Sequence, residues 1–250
     1  MIEKQKTGVR YALFYSLCIL VLLPFLLFGF LLSPFLSGRN RHQLVICFNK
    51  IVLAMAALFF NLRIQVEDVA NIPQQHCVVV SNHQSSLETV LLQTLFNPLS
   101  TVLKIELLKM PVVGRALRFM EPIAIDRSEP VLSYKSLIRE GENRLGAQRS
   151  VLIFPEGTRV AIGAPIRFNK GAASLAVRCQ VPILPVAHNS GLHWPQLNPD
   201  RQRRIITFKI GKPIYPQGKT VSQVHRESEC WVADNVKMLP SVVEGHASGR

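Results

Sequence analysis

The 250-residue sequence predicts an α/β protein, a mixed sheet flanked by helices, preceded by an N-terminal membrane-embedded helical segment. Three observations carry that prediction. From Tyr11 to Leu32, "YALFYSLCILVLLPFLLFGFLL", no side chain is charged, which meets the length needed to cross a bilayer. Beyond about Ile64, short apolar runs alternate with longer amphipathic segments, the pattern of strands and helices in turn. Finally, the polar motifs "SNHQSSLE", "IDRSE" and "FPEGTR" stand where strand-like runs end, which is where α/β folds keep their chemistry.

A secretory signal peptide is the rival reading of the first stretch, but its apolar region would be shorter and would end in a small-residue cleavage site. Pro24 and Pro34 predict a kink and a stop. The second apolar stretch, Leu44 to Leu62, is interrupted by Asn49 and Lys50, so it reads as a weaker span that fits the membrane interface equally well. Lys4, Lys6 and Arg10 precede the first stretch, while Arg39, Arg41 and Lys50 follow it. Basic residues on both flanks fit a hairpin that dips in and returns to the cytoplasmic side. The division expected is therefore 1–63 as a membrane anchor, one spanning helix or a helical hairpin, and 64–245 as the folded domain. The last ten residues, "SVVEGHASGR", read as a frayed tail.

Within the domain the strands are expected at Ile64–Glu67, Cys77–Ser81, Thr101–Lys104, Pro122–Ile125, Val151–Phe154, Ile183–Val186 and Ile205–Ile210. The helices are expected at Ser86–Leu95, Pro111–Phe119, Val131–Leu145, Gly171–Cys179 and Val221–Leu239. A net charge of +13 points to anionic partners: nucleic acid, anionic lipid or phosphorylated small molecules. The basic residues are scattered, without the aromatic interleaving of a single-strand platform, so no nucleic acid is expected. Cys18, Cys47, Cys77, Cys179 and Cys230 stand singly and read as reduced thiols; no metal-ligand spacing occurs.

His83 and Glu88 lie five positions apart. On one continuous helix they would point about 140° away from each other at roughly 100° per residue. They meet only if His83 lies in the loop before the helix and Glu88 in its first turn, with Ser85 or Ser86 as N-cap. The carboxylate would then fix the imidazole tautomer, and the ring could take a proton from a hydroxyl. "SSLE" is equally a capping box, with Glu88 serving only the helix. Both readings stand at this level.

Three further stretches offer cations at strand ends. In "VLIFPEGTR" Gly157 permits positive φ and Arg159 presents a donor fork suited to phosphate; a plain turn with a solvated arginine is the alternative. Arg127 follows "IAID" and Lys104 stands just past another strand, each equally readable as a solvated surface charge. The sharper expectation is that Lys104, Arg127 and Arg159 converge on one anion. His188 and His193 flank an apolar strand end and read as settling local hydrogen bonds. His42, His76, His225 and His246 carry no motif, and Arg201, Arg203 and Arg204 read as a charged turn.

Taken together the motifs resemble the glycerolipid acyltransferase family. Its N-H-x-x-x-x-D motif is matched by Asn82, His83 and, with a substitution, Glu88; K-x-E-L-x-x-x-P is matched by Lys104, Glu106, Leu107 and Pro111. The family's I-D-R is Ile125 to Arg127, its F-P-E-G-T-R is Phe154 to Arg159 unaltered, and its V-P-I-x-P-V is Val181 to Val186. The similarity covers about residues 65 to 215, and five motifs in order are specific where any one is weak. Glu88 in place of aspartate changes reach by one methylene and leaves the charge.

The resemblance implies acyl transfer to the sn-2 hydroxyl of lysophosphatidate, giving phosphatidate. His83 would act as base with Glu88 orienting it. Lys104 and Arg159, with Arg127 as a third candidate, would hold the phosphate, while Asn82, Glu156, Gly157 and Thr158 shape the motif loops. The co-substrate would be acyl-CoA or an acyl carrier protein thioester; no metal or cofactor is implied. A bacterial inner-membrane enzyme facing the cytoplasm is expected, among anionic lipids. The rivals are an acyltransferase for another lysolipid and a non-catalytic, membrane-tethered lipid-binding module. A serine hydrolase lacks its G-x-S-x-G elbow.

Overall fold

The computed structural model describes residues 2–32, 35–111, 113–192, 194 and 204–240. Two helices come first, α1 (Ile2–Leu32), which contains Pro24, and α2 (Gly38–Phe60), capped by the Ser37 hydroxyl accepting from the Asn40 amide. Next come β1 (Leu62–Glu67), β2 (Val78–Ser81), α3 (Leu87–Leu95), β3 (Leu99–Lys104), α4 (Val113–Arg118) and β4 (Ile123–Ile125). The chain continues as α5 (Pro130–Gly146), β5 (Ser150–Ile153), α6 (Gly171–Cys179), β6 (Ile183–His188), β7 (Arg204–Ile210) and α7 (Val221–Met238). Every strand and helix expected of the domain is found, with ends shifted by a few residues. The additions are short 3-10 turns, of which Ile105–Lys109 and Ser190–Leu192 bear on the site. Pro34, His193, Arg201, Arg203, His246 and the expected tail lie outside the described residues.

The seven strands form one mixed sheet in the order β1-β7-β6-β2-β5-β3-β4. β2 is central and parallel to both neighbours, and β6 with β7 is the antiparallel pair. Val78, Val79 and Val80 are wholly buried, as a central parallel strand covered on both faces requires. Val78 and Val80 pack with Leu137, Leu175 and Val224 of α5, α6 and α7. Val79 packs the other way, with Leu91 and Leu92 of α3 and Ala56 of α2. Gly141 lets α5 and α6 close on each other, since a Cβ there would come within 2.6 Å of the Leu175 side chain.

The N-terminal hairpin lies against this layer rather than apart from it. His42, Ile46, Asn49 and Ala56 of α2 are buried, whereas Leu58 on the far side is 81% exposed. Phe14 of α1 is buried against Phe59, Phe60 and Trp194. Val9, Leu13, Ile19, Leu20, Leu23 and Leu27 leave an apolar outer surface on α1. Among the described residues the segment long and apolar enough to cross a membrane is Asn40–Phe60, and Ala12–Phe25 is a shorter apolar helix.

Candidate active site

The register of the sheet assembles the site. Val80 pairs with Ile153 on one side and Pro185 on the other. His83, Glu156 and His188 each lie three residues beyond those partners, so they leave neighbouring strands at one level. Adjacent strands are about 4.8 Å apart, which brings each of the two flanking ends within contact of the His83 loop between them.

His83 sits in the loop between β2 and α3 and Glu88 in the first turn of α3. His83 Nδ1 lies 2.8 Å from Glu88 Oε1. The same oxygen accepts the amides of Gln84 (3.0 Å) and Ser85 (2.8 Å). Oε2 accepts the hydroxyls of Ser85 and Ser190, the latter at 2.8 Å. Ser86 stands at the N-cap without a side-chain bond to the helix, while the Leu87 amide donates to Ser85 Oγ at 3.1 Å. The capping and the imidazole contact therefore coexist: Glu88 gathers the loop amides and faces His83 through one oxygen.

Complete burial works to raise the Glu88 carboxyl, but the donors from His83 and Ser85 outweigh it and hold the group below its ordinary value. Glu88 is thus an anion at neutral pH. Its Oε1 fixes the proton of His83 on Nδ1 and leaves Nε2 as the free lone pair, without a protein partner among the described residues. The imidazole, 16% exposed, stacks on Phe154 with ring centroids 4.2 Å apart. A charged carboxylate behind an oriented, accessible imidazole is an arrangement able to take a proton from a hydroxyl.

The loop is clasped from both flanks. Glu156 accepts the His83 amide at 2.7 Å, and the Val160 amide donates to the His83 carbonyl at 2.8 Å. Burial, reinforced by the charge of Glu88, pushes the Glu156 carboxyl up to about 7 against the His83 amide, which pulls it down. Gly157 at φ +75 closes the turn with its amide on the Phe154 carbonyl, a conformation costly to other residues; Thr158 beside it is exposed.

On the other flank, His188 makes one local bond, as expected, and one distant one. Its Nε2–H donates to the Asn82 carbonyl at 2.7 Å, and its Nδ1 accepts the Ser190 amide at 3.2 Å. The Asn82 side chain in turn bonds the backbone of His188, 2.9 Å to its carbonyl and 3.1 Å from its amide. Burial drives the His188 imidazole below its ordinary value, with Glu88 opposing. Sequence reasoning gave Ser85 only a capping role and His188 only local bonds, and it missed Ser190. A histidine and serine ending a strand that neighbours β2 in the sheet was the available signal, and only the sheet order gives it meaning.

Lys104 closes β3 and pairs with Ile125 of β4, two residues before Arg127. Arg159 follows β5. All three are exposed and share the edge of His83, on three different strand ends spanning roughly 10 Å across β5, β3 and β4. Lys104 Nζ also lies 3.4 Å from Glu106. A largely apolar cavity of about 410 Å³ opens beside Gln84 and Glu156, lined further by Ile162, Ile166, Leu192 and Ala233. The five cysteines are free, and no cluster of three or more metal-ligating side chains stands together among the described residues.

The family model described as Acyltransferase matches residues 63–189, a span that holds the loop, the cations and both flanking strands. The chain is 36% identical to the 1-acyl-sn-glycerol-3-phosphate acyltransferase of Pseudomonas aeruginosa, over 94% of this chain and 93% of that one. The chain belongs to the acyltransferase family. The 1-acyl-sn-glycerol-3-phosphate acyltransferase alpha of Mus musculus is 32% identical over 75% of this chain and 66% of its own. The crystal structure of the 1-acyl-sn-glycerophosphate (LPA) acyltransferase PlsC from Thermotoga maritima has the same fold, with a TM-score of 0.77 at 24% identity, covering 95% and 97% of the two chains. As an acyltransferase the chain needs a base for an acceptor hydroxyl and room for an acyl chain.

Proposed function

We propose that this acyltransferase acylates the sn-2 hydroxyl of lysophosphatidate, giving phosphatidate, with acyl-CoA or acyl carrier protein as donor. The observation that carries the reading is the contact of His83 with a buried, ionised Glu88 at a sheet edge shared with Lys104, Arg127 and Arg159. The names of the relatives agree with it.

In this reading the substrate phosphate sits among the cations, Lys104 and Arg159 first and Arg127 beside them. Its glycerol then points back along the edge toward His83. Nε2 takes the sn-2 hydroxyl proton as the oxygen attacks the thioester carbonyl, with Glu88 offsetting the positive charge on the ring. The tetrahedral intermediate collapses, the carbon–sulfur bond breaks and the imidazolium returns its proton to the departing thiolate. No acyl–enzyme forms, because the nucleophile belongs to the substrate. The apolar cavity beside Glu156 takes an acyl chain.

The hairpin complements this chemistry. A helix buried along one side against the domain cannot be surrounded by lipid, so α1 and α2 lie in the bilayer surface with their exposed apolar side inward. The positive charge of the chain holds it to anionic lipid on the cytoplasmic face of a bacterial inner membrane. The test is phosphatidate formation by the purified protein from lysophosphatidate with each donor type, beside a panel of other lysolipids and the His83→Ala variant. Strong product with lysophosphatidate and none with His83→Ala is expected. Product at the level of the enzyme-free control, or undiminished in the variant, overturns the assignment.

A further inference from the structure

We propose that Ser190 is a positioning residue for the transfer, its hydroxyl holding Glu88, and through it His83, at a fixed place relative to the sheet. This rests on the role given above to the His83–Glu88 pair.

Among the described donors to the Glu88 carboxylate, His83, Gln84 and Ser85 all belong to the loop that Glu88 itself closes. Those bonds make the loop rigid inside but do not say where it stands. Ser190 is the donor that arrives from elsewhere, 102 positions along the chain, at the end of β6. Its hydroxyl lies 2.8 Å from Glu88 Oε2 and 2.8 Å from the Ser85 hydroxyl, so two hydroxyls converge on the oxygen that His83 does not use. Ser190 is wholly buried and touches no part of the cleft. It is set in turn by its amide on His188 Nδ1, and His188 holds Asn82 at the other end of the loop. Gly191 permits the approach, because a Cβ there would lie 2.7 Å from the Gln84 Cβ. The loop is therefore pinned at both ends to β6, with Ser190 on the end that bears the charge.

Removing the Ser190 hydroxyl has two effects that a general loss of stability does not have. Glu88 gains freedom to turn, and with one donor fewer it holds more negative charge on the oxygen facing His83. The ionisable groups around it are His83 in its own loop, His188 from β6 and Glu156 from the turn after β5. The experiment compares full-length wild type with Ser190→Ala, Ser190→Thr and His83→Ala in the lysophosphatidate assay, with thermal melting of each. Ser190→Ala is expected to lower kcat about tenfold with KM for lysophosphatidate within twofold, and to move the acid limb of kcat to higher pH. Ser190→Thr, which keeps the hydroxyl, is expected to recover kcat to within about threefold. Wild-type kcat in Ser190→Ala overturns the proposal. So does a fall that tracks the melting temperature, leaves the pH profile unmoved and is not rescued by threonine. Turnover surviving in His83→Ala sinks the reading of the pair and this proposal with it, whereas turnover lost there and intact in Ser190→Ala sinks the proposal alone.

Discussion

Replacing Glu88 by glutamine separates its two functions, because the amide keeps the shape and gives up the charge. With the amide oxygen at the Oε1 position, the variant still accepts from His83 Nδ1 and from the Gln84 and Ser85 amides. The NH2 group then meets the hydroxyls of Ser85 and Ser190, which can turn to accept. The cap and the imidazole tautomer both survive. What goes is the negative charge facing the ring as it becomes an imidazolium. A hydrogen bond to a charged group contributes about 1.5–3 kcal/mol against about 0.5–1.5 for a neutral one, and each 1.36 kcal/mol is tenfold in rate, so losing the difference of about 1–1.5 kcal/mol should lower kcat roughly 5- to 13-fold. KM for lysophosphatidate should stay near the wild-type value, since Glu88 is fully buried and touches no substrate. Initial rates of thiol release at saturating substrates read kcat directly, and a melting curve checks that the loop is intact. A glutamine variant within twofold of wild-type kcat would show that His83 does not draw on the charge, and the helix cap alone would account for Glu88.

The raised carboxyl of Glu156 predicts a pH effect on stability. A carboxyl that ionises near 7 in the folded state and near its ordinary 4.5 when unfolded favours folding most below 4.5, and that contribution is lost as pH rises through about 7. The melting temperature of Glu156→Gln should lack that decline, and equal slopes in wild type and variant between pH 5 and 8 would refute the assignment. Lys104→Ala and Arg159→Ala should each raise KM for lysophosphatidate about 10- to 100-fold, as lost charged hydrogen bonds do, and leave KM for the acyl donor alone. An acceptor without the phosphate should not distinguish either variant from wild type. Ala233→Phe, filling the cavity beside Glu156, should shift the preferred donor or acceptor toward shorter chains in a competition among acyl lengths; an unchanged product spectrum would remove the cavity from the reaction.

The parts legible in the sequence are those set by short-range patterning. The run "VVVS" reads as a strand because a central parallel strand is apolar on both faces, and Ser85 with Glu88 reads as a helix start because caps are local. The sheet order is not local, and neither is what depends on it. Nothing near His188 announces Asn82, 106 positions away, and nothing near Ser190 announces Glu88. Both contacts exist because β6 pairs with β2 in a register that puts Val186 opposite Ser81. The cations show the same divide. Their places at strand ends are readable from sequence, whereas their sharing of one edge follows from β5, β3 and β4 all running parallel.

The polar interruptions of the second apolar stretch have a physical explanation in the same terms. Hydropathy reads Asn49 and Lys50 as breaks in a span, and His42 just before it carries no motif. In the structure His42 accepts the Leu99 amide and meets Arg149, itself fixed to Ser100 and the Met120 carbonyl, while Asn49 is buried. His42 and Asn49 belong to the side of α2 that faces the domain, whereas Lys50 is exposed. Two of the polar positions that weaken α2 as a lone apolar span are therefore the ones it uses to hold the folded domain on one side. A uniformly apolar α2 would insert more readily but lose its hold on β3 and β5. The domain would then be held to the hairpin by apolar packing alone, that of Ala56 on Val79 and of Phe14 on Trp194, which is non-directional and fixes its attitude less sharply.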